Sequence, residues 1–203
     1  ELRYFHFSVV MHAARRFPLF TAVNIDGRKL VRVARKDSWR PDGRIDAKYQ
    51  TDDDFYVKSL AKEKVYFSRG HQVRLLDPCW SRASSKAQRE ADARRGMEDT
   101  FHFTNAAPQV QSYNDQDWGN LEDYVLDKAQ STERRLSVFT GPIYRDNDPV
   151  YGRNREGGPW QIPLSFWKIA VLQKSADKIA AAAFIIGQTE YVQALYEAKV
   201  FSG

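Results

Sequence analysis

The residue types best suited to chemistry lie in four short stretches: Ser68-Arg69-Gly70-His71, Arg40 in "SWRPDGR", Asn105 in "TFHFTNAAPQ", and Asn114 followed by Glu122 in "YNDQDWGNLEDYV". Together they match what hydrolysis of a phosphodiester requires. A base must make water nucleophilic, cations must take up charge on the phosphoryl oxygens, and the departing oxygen must be stabilised. His71 can serve as the base, Arg69 and Arg40 as cationic clamps, and Asn105, Asn114 and Glu122 as oxygen ligands. Each also has a plainer reading. A histidine beside a glycine is equally a satisfied turn residue, and an arginine in a loop is normally just solvated. The pairing is more informative than either residue. An arginine two positions from His71 helps keep the imidazole neutral, as a base must be, and its planar fork suits a phosphate. His71 is expected to titrate near the ordinary histidine value of about 6.5.

Asn114 and Glu122 are eight residues apart, which on a regular helix is about 12 Å of rise and about 80° of rotation. A cation ligated directly by Asn114 would meet Glu122 through water. That suits magnesium, which keeps several of its own waters.

The elements that must position these residues read as follows. "FHFSVVMHA", "FTAVNIDG" and "KLVRVAR" alternate as strands, with Asp26-Gly27 a hairpin signal. "RKDSWRPDGRID" is a polar loop broken by Pro41 and Gly43. "FYVKSLAKEKVYFSRGH" leads back into strand, and "SRASSKAQREADARRG" should be an exposed helix. "TFHFTNAAPQ" alternates as a strand ending at Pro108. The stretch from Asn114 then places Trp118, Leu121, Val125 and Leu126 on one broad helical face, with Asn114 or Asp115 capping its start. "LSVFTGPIY", "SFWKIAVLQK" and "KIAAAAFIIG" read as strands and "TEYVQALYEAKV" as a closing helix. The sum is a single α+β domain over residues 1–203, built on a mainly antiparallel central sheet flanked by helices.

With 203 residues, 42% hydrophobic and 13% aromatic, the chain has the apolar content of a folded core and lacks that of a disordered one. No apolar run approaches the roughly 20 residues of a bilayer span, and the first residues lack the features of a signal peptide. Glu1 in place of Met implies a processed or excised domain, so the compartment is not given. The net charge of +5 favours a polyanionic partner without requiring one. Cys79 is the single cysteine, which excludes an intrachain disulfide and a cysteine-built zinc site and reads as a small buried apolar residue.

"SRGHQVRLLDP", "DTFHFTNAAPQVQSYNDQDWGNLEDYV", "FTGPIY" and "IPLSFWKIAV", in this order, resemble the DNA/RNA non-specific endonuclease family, the ββα-metal or His-Me finger nucleases. The likeness covers most of the chain. It implies a ββα-metal active-site motif and a Mg2+-dependent endonuclease, with Mn2+ as a substitute, acting on DNA and on RNA and leaving 5′-phosphate ends. Carried over by position, His71 is the general base and Arg69 the arginine beside the phosphate. Arg40 stabilises the transition state, Asn114 is the direct metal ligand, Glu122 orients metal-bound water, and Asn105 supports the site.

Two departures accompany the likeness. Ser68 stands where the family usually has Asp, which removes a carboxylate near the metal, although serine can still hydrogen-bond a metal-bound water. The interval from His71 to Asn114 is long, with the charged helix around residues 84–95 as the insertion. Its basic residues either track a nucleic-acid backbone or form a solvated face. Ser68 also favours an alternative, a catalytically silent nucleic-acid-binding module on the same fold. Control by a regulatory domain, an inhibitor or homo-oligomerisation is a further expectation, because an unrestrained nuclease is toxic. No membrane partner is expected.

Overall fold

The computed structural model describes residues 1–56, 67–152, 157–175 and 177–197. In chain order its strands are β1 (Leu2–Arg3), β2 (Phe7–His12), β3 (Phe17–Asp26), β4 (Phe67–His71), β5 (Ala106–Val110), β6 (Arg135–Ile143), β7 (Val150–Tyr151), β8 (Trp160–Gln161), β9 (Ser165–Ser175) and β10 (Lys178–Gly187). The helices are α1 (Asp53–Tyr56), α2 (Lys86–Asp99), α3 (Gln111–Tyr113), α4 (Gly119–Ser131) and α5 (Thr189–Glu197), with a wide π turn at Asn114–Trp118 between α3 and α4.

An antiparallel six-stranded sheet runs β1-β2-β3-β6-β9-β10, and two small sheets pair β4 with β5 and β7 with β8. Register follows the alternation of apolar residues. Val23 faces Val138, which faces Ala170, so one side of the pleat carries the core and a one-residue slip would expose it. Trp118, Leu121, Val125 and Leu126 are all buried, and they share one apolar core with Phe7, Val23, Val138 and Phe166 of the sheet. Burying that apolar stripe is what holds α4 in place, since an isolated helix of its length is marginal in water.

Several element expectations need correction. "TFHFTNAAPQ" is not one strand ending at Pro108: Phe103–Asn105 is a 3-10 turn, and β5 runs through Pro108 to Val110. "KLVRVAR" is not a strand: of it only Leu30 makes a bridge, to Trp80. Asp26-Gly27 is therefore no hairpin, and β3 pairs instead with β6, more than a hundred residues on. The Asp26 carboxylate is buried and accepts from Arg82 and lies against Arg135, a tertiary use that turn chemistry does not announce. Asn114 and Asp115 do not cap a helix start, because the helical path begins at Gln111 with Val110 before it. The charged helix, expected to be exposed, is α2 and buries one edge. Ala93 and Met97 pack with Cys79 and Phe101 in a small second core, and Ser85 caps its start by accepting from Gln88 N–H. Cys79 is buried, and burial pushes its thiol up to about 12.

Candidate active site

The site begins where β4 meets β5. Arg69 faces Pro108, Gly70 faces Ala107 and His71 faces Ala106. On this pleat Arg69 and His71 share one face, and Ser68 and Gly70 share the other. Glycine at position 70 makes room for the fully buried Gln109 side chain, since a Cβ there would fall 2.2 Å from its Oε1.

The His71 imidazole is enclosed by aromatic rings, with Trp39 at 4.7 Å and Phe101 at 5.3 Å between centroids. Its Nε2 is buried and has no hydrogen-bond partner among the described residues. Burial, aided by the Arg35 cation and opposed by Asp37, lowers its pKa to about 3. The expected value near 6.5 is thus corrected: the ring walls remove the water that would solvate an imidazolium.

Arg69 donates from Nη2 to Asp53 Oδ1 at 2.7 Å. Its guanidinium lies 5.6 Å from the centre of the Trp39 ring and 5.8 Å from that of Tyr56, which fixes the fork beside His71. Trp39 therefore touches both residues. The adjacent Arg40 is knitted in by its backbone, its N–H donating to Phe101 O and its carbonyl accepting from Phe103 N–H, both at 3.0 Å. Its Nη1 donates to Ser38 O at 3.2 Å, and Nη2 lies 3.9 Å from Asp99 Oδ1.

Asn105 sits in the 3-10 turn Phe103–Asn105, just before β5, and is fully buried. Its Oδ1 accepts from Val73 N–H at 2.9 Å, and Nδ2 donates to Val73 O and Thr100 O, both at 3.0 Å. The amide is spent on backbone, bracing the segment that follows His71.

From β5 the chain passes directly into the helical segment, so two paired strands are followed by a helix. The Ser68 hydroxyl donates to Gln111 Oε1. Gln111 Nε2 donates to Asp115 Oδ2 at 2.5 Å, and Asn114 Nδ2 donates to Asp115 Oδ1 at 3.3 Å. Ser68 is thereby connected to Asn114, whose Oδ1 takes no hydrogen bond among the described residues.

The π turn changes the relation of Asn114 to Glu122. Gly119 N–H reaches back to Asn114 O, so the turn holds one residue more than an α turn. Eight positions then rotate like seven, about 700°, within about 20° of two full turns. By that rotation the two positions fall on the same side of the helix, roughly 10 Å apart along its axis.

Glu122 pairs with a residue the motifs did not include. Its Oε1 accepts from Lys168 Nζ at 3.3 Å, with the two side chains only 10% and 1% exposed. Burial raises the Glu122 pKa, while Lys168 and Arg74 oppose. Asp77, also buried, is pushed up to about 7 by burial, with Lys168 again opposing. Arg74 donates to Asp123. A signal for Lys168 did exist: in "SFWKIAVLQK" it takes a core-facing turn of the alternation, between Phe166 and Ala170. Trp39 had none, being a loop aromatic.

Among the described residues no three His, Cys, Asp or Glu side chains cluster as a metal cage. Asn114 and Glu122 offer hard oxygen donors on one helix face, a set that fits a cation keeping most of its water.

Comparisons with known proteins complete the picture. The model of the DNA/RNA non-specific endonuclease family matches residues 1–201. An uncharacterized protein y4fB of Sinorhizobium fredii is 34% identical over 195 residues, covering 94% of this chain and 27% of its own. Mitochondrial endonuclease G of Homo sapiens is 26% identical over 172 residues, 77% of this chain and 52% of its own. The chain thus spans about half or less of the length of these relatives. Among solved structures, the EndoG/EndoGI complex, determined for the mechanism of EndoG inhibition, superposes with a TM-score of 0.65 at 18% identity. That match covers 89% of this chain and 71% of the other, and it shows a shared fold.

Proposed function

Because the chain belongs to the DNA/RNA non-specific endonuclease family, we propose that it is a single metal-dependent endonuclease domain hydrolysing phosphodiester bonds of DNA and RNA with little regard to sequence. The observation that carries the reading is the pairing on one face of β4: an imidazole kept neutral by its surroundings, beside an arginine fork held by Asp53 and aromatic rings. Such a site addresses the phosphate backbone, which carries no base code.

His71 takes a proton from the attacking water, whose oxygen adds to phosphorus as the bond to the 3′ oxygen breaks and that oxygen takes a proton from solvent, leaving 5′-phosphate and 3′-hydroxyl ends. Arg69 orients the phosphate, and Arg40 neutralises charge that builds in the transition state. Asn114 and, through water, Glu122 would hold Mg2+ or Mn2+, which supplies Lewis-acid stabilisation of the phosphoryl and departing oxygens. Asn105 positions the β4–β5 unit, and Ser68 steadies Asn114 through Gln111 and Asp115. An inhibitor partner is part of the reading, since EndoG in the solved complex is bound by one.

The metal assignment is tested by Asn114→Ala. It should raise the Mg2+ concentration for half-maximal cleavage by about tenfold or more, with thermal stability unchanged. An unaltered Mg2+ titration would remove Asn114 from the site. The serine at position 68 favours one second reading, a silent nucleic-acid-binding module, which predicts retention of plasmid without nicking.

A further inference from the structure

We propose that Lys168 is a positioning residue of this site, reaching from the central sheet to hold the Glu122 carboxylate. The inference rests on the reading of Glu122 given above. On the core-facing side of the sheet, Thr21 pairs with Thr140, which pairs with Lys168, which pairs with Phe184. Thr21, Thr140 and Lys168 are each 1% exposed, so the ammonium lies at the end of a buried row beneath the helix.

A buried ammonium is costly to desolvate, and an apolar residue of similar volume would fill the space more cheaply. What the ammonium touches therefore explains its retention. It meets Glu122 Oε1 at 3.3 Å and stands 4.9 Å from the centre of the Trp118 ring. Both residues lie on the helical path that carries Asn114. The ring stands beside the ammonium and the ammonium takes one carboxylate oxygen, which holds Glu122 at a fixed place on the helix. Partners of this kind orient metal-site groups without touching the metal.

The test uses the full chain without substrate and Mn2+ alone as the probe, followed by calorimetry and electron paramagnetic resonance. Lys168→Met should weaken Mn2+ binding about 10- to 100-fold, and Lys168→Arg should recover most of the loss. Glu122→Gln should match that loss. In the Glu122→Gln background, which also removes the unpaired buried charge that could unfold the single variant, Lys168→Met should add less than about twofold. Wild-type Mn2+ affinity in Lys168→Met, or a full additional loss in the double variant, would overturn the proposal. A wild-type protein that binds no Mn2+ would instead overturn the Asn114–Glu122 reading, and this inference with it.

Discussion

His71 is held neutral by its surroundings: Trp39 and Phe101 wall the ring and Arg35 adds positive charge nearby. Its pKa of about 3 keeps the base form through the neutral and mildly acid range. An NMR titration of the metal-free protein should show no His71 midpoint near 6.5, whereas Trp39→Ala, by admitting water, should move the midpoint upward toward it. A wild-type midpoint near 6.5 would contradict the enclosure. His71 and Arg69 were legible as a pair sharing one strand face, because alternation alone sets that. The enclosure was not, since it depends on an aromatic residue delivered by a distant loop. Asn105 reads from the sequence as an oxygen ligand; that its amide is instead used up on Val73 and Thr100 follows only from the packed turn.

At the scale of elements, the π turn decides whether Asn114 and Glu122 share a face. A Cβ at position 119 would meet Asn114 O at 3.2 Å, so the glycine eases closure of the wide turn. Gly119→Ala favours a regular helix, both by propensity, by roughly 1 kcal/mol, and by crowding the π bond. Returning to an α turn would rotate Asn114 by about 100° relative to Glu122. The variant should therefore keep its melting temperature within a few degrees while needing about tenfold more Mg2+ for cleavage; unchanged Mg2+ dependence would show that the turn is not what aligns the pair. The sheet strands and the apolar face of α4 were legible, because periods of two and 3.6 survive in the sequence. The π turn was not, since one extra residue leaves the buried stripe of Trp118, Leu121 and Val125 intact. A glycine inside a helical pattern was its only sign.

For the whole molecule, two buried groups give stability opposite pH slopes. His71, with a lowered folded pKa, contributes stability that is present above about 6.5 and is lost as pH falls toward about 3. Asp77, raised to about 7, contributes stability that is present below about 3.9 and is lost as pH rises through 7. Asp77→Asn removes the second slope, so its stability relative to wild type should increase between pH 4 and pH 7 in urea unfolding. A constant difference would mean that Asp77 is not held protonated. The antiparallel α+β plan was legible from the alternating segments, but the β3–β6 pairing was not, being a long-range contact where a local hairpin signal pointed elsewhere. The central claim, a metal nuclease with His71 as its base, is tested most directly by incubating supercoiled plasmid with wild type and His71→Ala, each in Mg2+ and in EDTA. The account predicts nicking by wild type in Mg2+ alone, slowed about 100-fold or more in His71→Ala. Binding without nicking, cleavage that persists in EDTA, or comparable cleavage by His71→Ala would contradict it.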